Sequence, residues 1–292
     1  MSRRRRPGNE RGYDMLDRED YTDSCCCTPG HPCASPHHDC RHDDDHRARI
    51  PVEEIIAECD RLFQEENFAD LGDHLRKWRA EARRIGDREG ELSMLSELMG
   101  HYRMTGDEER GMAAVRDGFA LMEELDMGGT VSAGTIRING ATALQAFGEF
   151  EEALRHYDEA FRCYGANLDP ADRRFAGLFN NMAAALAATG EFRHADAYYR
   201  KALEILEACG DRMDAAVTYV NLAQLYDQCD RHDPRIAEAL DIAMACFDDP
   251  AAVRDGYYAH TCRKCASAFG LFGRGADERD LNGRADRFHE GH

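Results

Sequence analysis

Between Thr135 and Ala208 the chain repeats one phrase, and no other feature restricts its fold as tightly. Gly148-Glu149-Phe150, followed by Ala153, Tyr157 and Ala160-Phe161, returns as Gly190-Glu191-Phe192, followed by Ala195, Tyr199 and Ala202-Leu203. Asn139 precedes the first glycine by nine residues, and Asn181 precedes the second by nine. A glycine that separates two runs of helical periodicity, repeated at a fixed interval, specifies an antiparallel helix pair copied along an axis. One such pair cannot cover its own apolar face, so it must stack on the next.

The pattern extends in both directions. Ile55, Ile56, Cys59, Leu62 and Phe63 recur at three and four residues and mark one apolar helical face. Phe68, Leu71, Leu75, Trp78 and Ala82 do the same for a second helix, which places Trp78 in the core. A pair over residues 89–124 turns at Gly106-Asp107, and there Gly111 and Gly118 stand where the central repeats carry alanine. Each costs a helix about 1 kcal/mol but permits close contact with a neighbour. A fifth pair holds Tyr219, Asn221, Leu222, Ala223 and Tyr226, then Ile236, Leu240, Ala243 and Met244. The sixth begins near Val253, with Tyr258, His260, Cys262 and Cys265, and closes on Leu281, Ala285 and Phe288. Ala57, Glu97, Asn139, Asn181, Asn221 and His260 then share one phase, at spacings of 40, 42, 42, 40 and 39 residues.

Pro51, Pro170, Pro234 and Pro250 fall at helix starts or junctions, and none interrupts a helical run. Asp169-Pro170-Ala171-Asp172 reads as a helix start with an N-cap carboxylate, and the Asp-Pro pairs at 233 and 249 repeat the device. The expected fold is all-α: a solenoid of about six antiparallel helix pairs over residues 50–292.

Residues 1–49 have no such periodicity. They are rich in Arg, Asp, Cys, His, Gly and Pro, cannot bury enough apolar surface to offset ordering entropy, and are expected to form a disordered tail. Met15 offers a second candidate start within it. Cys25, Cys26, Cys27, His31, Cys33, His37, His38 and Cys40 bring together the thiolates and imidazoles that suit zinc, although without the paired spacing of a zinc knuckle. The other seven of the 12 cysteines are scattered through helical runs, where cysteine usually acts as a small buried hydrophobe. Cys262 and Cys265 form a CxxC inside such a run, and core packing is the favoured reading over redox chemistry.

The 37 Lys+Arg against 56 Asp+Glu leave a net charge of −19. An acidic surface repels phosphate backbones, so nucleic acid is not an expected partner. No apolar run approaches the roughly 20 residues that span a bilayer, and no apolar segment follows the basic Arg3 to Arg6 cluster, so the expected location is cytoplasmic. There is no glycine-rich phosphate loop, no HExxH and no GxSxG, and no catalytic activity is expected.

The phrase resembles the tetratricopeptide repeat. Ala141, Gly148, Phe150, Ala153, Tyr157 and Ala160 match that family's positions in one repeat, and Ala183, Gly190, Phe192, Ala195, Tyr199 and Ala202 match them in the next. The interval of 40–42 residues exceeds the family's usual 34 or so, and is similar to the longer repeats of kinesin light chains and bacterial peptide-sensing regulators. The resemblance implies a right-handed superhelical course and a concave wall lined by the first helix of each pair, with Asn139, Asn181 and Asn221 facing it and Asn180 and Gln224 extending the polar strip. An asparagine amide there offers a donor and an acceptor to an extended peptide backbone, or else bonds its own helix or the neighbouring repeat. The lysines and arginines that clamp a carboxylate in chaperone-binding members have no counterpart at Thr135, Thr142, Gly177, Ala184 and Val217.

The expected function is a noncatalytic scaffold that holds a protein or peptide in its groove, and the acidic balance favours a basic ligand. A metal-responsive or zinc-binding protein acting through its tail is one alternative. A peptide-sensing regulator without a DNA-binding domain of its own is another.

Overall fold

A computed structural model describes residues 48–65 and 67–290. Among these there are twelve helices and no strand. They divide into two compact units, one ending at Met94 and one running on from Leu95.

The first unit contains α1 (Val52–Gln64), α2 (Phe68–Ile85) and the opening turns of α3 (Arg88–Thr105). Pro51 immediately precedes α1, where its missing N–H costs nothing. The α1 stripe of Ile55, Cys59 and Leu62 and the α2 stripe of Leu71, Leu75 and Ala82 are buried as their spacing requires. Trp78 is not core: it is half-exposed, with the His74 ring edge-on at 6.4 Å and the Lys77 ammonium 5.8 Å from its centroid. A ring of that size reaches past the apolar stripe to the rim. Asp87 ties the unit together, because its carboxylate accepts from the Gly90 N–H at the start of α3 and from the Ile50 N–H, both at 2.9 Å.

The second unit continues α3 and adds α4 (Glu108–Glu124), α5 (Val131–Ala146), α6 (Phe150–Asn167), α7 (Arg174–Ala188) and α8 (Phe192–Cys209). It goes on through α9 (Arg212–Cys229), α10 (Arg235–Asp248), α11 (Gly256–Leu271) and α12 (Gly275–Glu290). Helices α5/α6, α7/α8, α9/α10 and α11/α12 pack as pairs. The second helix of one pair meets the first of the next at α6/α7 and α8/α9, and the first helices touch one another at α5/α7, α7/α9 and α9/α11.

Small residues set the spacing within a pair. Ala141, Ala153 and Ala160 in one, and Ala183, Ala195 and Ala202 in the next, are fully buried, and Tyr157 and Tyr199 fill the space beside them. Gly148 and Gly190 turn each pair with φ of 94° and 86°, a left-handed backbone that side chains with a Cβ rarely adopt. The α9/α10 turn has no glycine. Asp230 accepts there from the His232 N–H at 3.0 Å, and Asp233 from the Arg235 N–H at 2.9 Å.

The Asp-Pro devices divide into two kinds. Asp233-Pro234 does start a helix, since α10 begins at Arg235. Asp169-Pro170 and Asp249-Pro250 instead form turns ahead of the helix: each aspartate accepts from the N–H two residues on, at 2.8 Å. α7 starts only at Arg174, whose N–H bonds Asp172, and α11 at Gly256, capped by Asp255. An aspartate before proline can close a local turn without committing the chain to a helix.

Glycine replaces alanine where a neighbour comes close. A Cβ on Gly111 would stand 2.5 Å from the Phe147 ring, and one on Gly134 would stand 2.8 Å from the Tyr164 ring and 3.2 Å from Cys163 Cβ. Tyr164 is fully buried and its hydroxyl is held 2.9 Å from Thr135, so it cannot give way. Gly134→Ala is therefore expected to lower stability by about 1–3 kcal/mol despite the better helix propensity of alanine. Urea denaturation of the two proteins measures this, and a gain in stability would contradict the packing described.

Candidate functional site

The first helices of successive pairs lie side by side, and each leaves one face open. On α5 the half-exposed positions Thr135, Asn139 and Thr142 run between buried neighbours, and on α7 Gly177, Asn181 and Ala184 do the same. Steps of four and three residues keep them on one helical face. The line continues through Asp214, Asn221 and Gln224 on α9 and through Tyr257, His260 and Lys264 on α11. This row of faces is the candidate binding surface.

Its asparagines, Asn181 apart, are committed to bonds with neighbouring helices. Asn139 donates through Nδ2 to Ser96 Oγ on α3 at 2.8 Å. Asn180 donates to Thr218 Oγ1 at 2.9 Å and accepts from Asn221 Nδ2 at 3.3 Å, so α7 and α9 are stitched by two bonds. Thr218 passes its own hydroxyl hydrogen to the Asp214 carbonyl at 2.8 Å. The Tyr257 hydroxyl donates to the Asp214 carboxylate, joining α9 to α11. Asn139, Asn180 and Asn221 thus bridge neighbouring repeats, as the second of the two sequence-based readings has it.

Asn181 differs. Its Nδ2 is shut away from solvent and has no hydrogen-bond partner among the described residues. A buried donor left unpaired costs about 1–3 kcal/mol, so an acceptor brought to it restores a bond the protein alone does not make. Gln224 lies half-exposed one turn beyond Asn221.

The open faces of α5 and α7 carry small and uncharged side chains at these positions, so the chain's acidic excess does not line them. Elsewhere part of the acidic complement is neutralised in exposed groups such as Glu58–Arg61–Glu65 and Asp73–Arg76, which contribute little to stability. Charge enters the strip on α9, through Asp214, and on α11, through Lys264.

The phase of the last repeat also needs correction. Gly106, Gly148, Gly190 and Gly273 all have left-handed φ, and the residues nine before them are Glu97, Asn139, Asn181 and Lys264. Lys264, rather than His260, therefore continues the asparagine series. Lys264 follows Asn221 by 43 residues, close to the 42 that separate Asn139 from Asn181, whereas His260 falls four short, and counting back nine from Gly273 recovers this in the sequence.

Cys262 and Cys265 are buried in the α11 core, where burial pushes their thiols up to about 11 and about 12. Thiols held protonated at neutral pH make poor nucleophiles and poor metal ligands, which agrees with core packing. The tail residues Cys25, Cys26, Cys27, His31, Cys33, His37, His38 and Cys40 lie outside the described residues. Among the described residues no group of three His, Cys, Asp or Glu is placed to hold a metal ion. No described helix is long and apolar enough to cross a membrane.

Family models of the tetratricopeptide repeat match residues 134–171 and 174–243. With the helix-pair stack, the phased glycines and the buried alanines, this assigns the class of repeat: the chain carries tetratricopeptide repeats over these residues. No curated protein matches the sequence. Among solved structures, the apo form of RapI superimposes with a TM-score of 0.57 at 11% identity, over 82% of this chain and 83% of that one. A Rap protein complexed with competence and sporulation factor gives 0.55 at 13%, over 82% and 75%. NprR in complex with its cognate peptide NprX gives 0.54 at 13%, over 82% and 68%. At these identities the likeness concerns the fold.

Proposed function

We propose that the protein is a noncatalytic, cytoplasmic scaffold that holds an extended peptide or protein segment along the open faces of α5, α7 and α9. The observation that carries this reading is Asn181, a shielded amide donor without a partner among the described residues, in a row whose other asparagines bond across to neighbouring helices. An extended backbone presents carbonyls at regular intervals and satisfies such a donor without regard to sequence. Two structures of the same fold, a Rap protein and NprR, are complexes with a named factor and a peptide, which supports the class of ligand.

The amides divide into two roles with separable outcomes. Asn180→Ala breaks both bonds between α7 and α9 and is expected to cost about 1–3 kcal/mol of stability. Asn181→Ala removes no internal bond, so it should leave the melting temperature and helical circular dichroism unchanged or improved while lowering peptide capture about tenfold. Selection of displayed random 12-residue peptides by the purified chain, followed by affinity measurement on the winners, supplies the readout. Equal affinity for the wild type and Asn181→Ala would defeat the reading.

A further inference from the structure

We propose that Lys264 is the charge-reading position of the groove, and that the preferred ligand is an extended peptide carrying an aspartate or glutamate side chain opposite it. The inference rests on the peptide-binding reading above and adds a ligand chemistry that the net charge of −19 does not suggest. The sequence has three lysines. Lys77 and Lys201 are exposed, and each has its ammonium near aromatic rings: 5.8 Å from Trp78 for the first, and 5.0 Å from Tyr198 and 5.7 Å from Phe179 for the second.

Lys264 is half-buried, and among the described residues it has no carboxylate within ion-pair distance and no ring beneath its ammonium. In a chain with 19 more acidic than basic side chains, a partly covered cation without a counter-charge stands out. Its neighbours do not fill that role. Arg263 is already paired with Asp286 at 2.8 Å, and Asp214 is taken by Tyr257. Asp227, the remaining half-exposed carboxylate on the α9 strip, lies six residues beyond Asn221 and makes no ion pair with the lysine.

Position makes the cation readable. Lys264 occupies in α11 the place that Asn181 occupies in α7, nine residues before a left-handed glycine, and α9 lies between and touches both helices. Packed helices lie about 10 Å apart, and an extended chain advances about 3.3 Å per residue. A ligand residue at Asn181 is thus followed about six residues later by one at Lys264. Because the ammonium is a single point charge and the adjacent Arg263 is already held by Asp286, it suits one side-chain carboxylate better than the multiple donors a chain terminus takes up.

The test uses the full chain and displayed random 12-residue peptides fused at their C-termini, so that no free terminal carboxylate is presented. Wild-type winners should be enriched in Asp or Glu at one fixed position. Synthetic winners should lose about tenfold in affinity when that residue becomes Gln or when the protein carries Lys264→Gln. The Lys264→Glu protein should select Lys or Arg at the same position. Circular dichroism confirms that both variants keep their helices, and Lys264→Gln serves if the charge reversal does not fold. Winners that are the same for the wild type and Lys264→Gln, yet depend on Asn181, would overturn the lysine assignment and leave the groove reading standing. An absence of any Asn181-dependent winner would overturn both.

Discussion

Tyr157→Ala is expected to destabilise the second unit by about 3–5 kcal/mol, the usual range for removing a large aromatic from a core. The ring is fully buried between α5 and α6, where Ala141, Ala153 and Ala160 are also buried without exposure, so little side-chain volume is free to collapse into the gap. Its hydroxyl also donates to Gln145 Oε1 at 2.9 Å, and Gln145 is itself buried. Tyr157→Phe separates the two contributions. It keeps the ring and leaves the amide oxygen without that donor, for an expected loss of about 1–2 kcal/mol. Urea titration of the three proteins, with slopes compared, gives both numbers. A Tyr157→Ala protein within 1 kcal/mol or so of the wild type would mean that the helix pair repacks freely.

Arg284→Met should cost about 2–4 kcal/mol and act at one end of the stack. The side chain is only 15% exposed and reaches from α12 to three partners outside its own helix. It donates to the Phe247 carbonyl and the Tyr258 hydroxyl, both at 3.1 Å, and pairs with Asp248 at 2.6 Å. Asp280 on α12 holds it from behind at 2.6 Å. A cation at the last carbonyls of α10 is also favoured by the dipole of that helix. Methionine keeps most of the stem but gives up the bonds to Tyr258, Asp248 and Asp280, while the Phe247 carbonyl still accepts from the Tyr258 hydroxyl at 3.2 Å, and breaking one side of a partly buried charge network is more costly than never having built it.

In a stack where each pair contacts mainly its neighbours, the loss should stay local. Hydrogen exchange should quicken in α10, α11 and α12 and leave α5 and α6 unchanged. Uniform quickening across the unit would indicate one cooperative block.

These two predictions concern what holds the scaffold, whereas the asparagine and lysine variants concern what it holds. Most of the candidate strip does both. Asn139, Asn180 and Asn221 link consecutive repeats, so a ligand there competes with or adds to bonds that already stabilise the stack. Asn181 is where the two duties part, since its substitution is expected to weaken binding without weakening the fold. Replacing Asn139, Asn181 and Asn221 together by alanine would confuse the two effects, because Asn139 and Asn221 carry inter-repeat bonds.

The architecture was written in local terms that a linear reading can follow. Alanine at 141, 153 and 160, tyrosine at 157 and glycine at 148 each act within one pair of helices, and the next copy at 183 to 202 confirms the period. Net charge is not legible in the same way: it sums all surfaces and says nothing of which helix face carries it, so the acidic balance does not reveal that the strip positions of α5 and α7 are uncharged.

The sequence by itself determined the helix pairs, their order and the face of each first helix that stays open, because apolar periodicity and turn glycines act over a few residues of chain. Only the tertiary structure decided which amides are spent and which is not. Asn180 and Asn181 are adjacent in sequence and chemically identical, yet one meets Thr218 and Asn221 from the next repeat and the other meets no partner. It also singled out Gly273, rather than Gly270 or Gly275, as the left-handed turn from which Lys264 is counted into the series. The amide bonds, for their part, join helices about 40 residues apart in sequence. Those contacts exist only once the pairs have stacked.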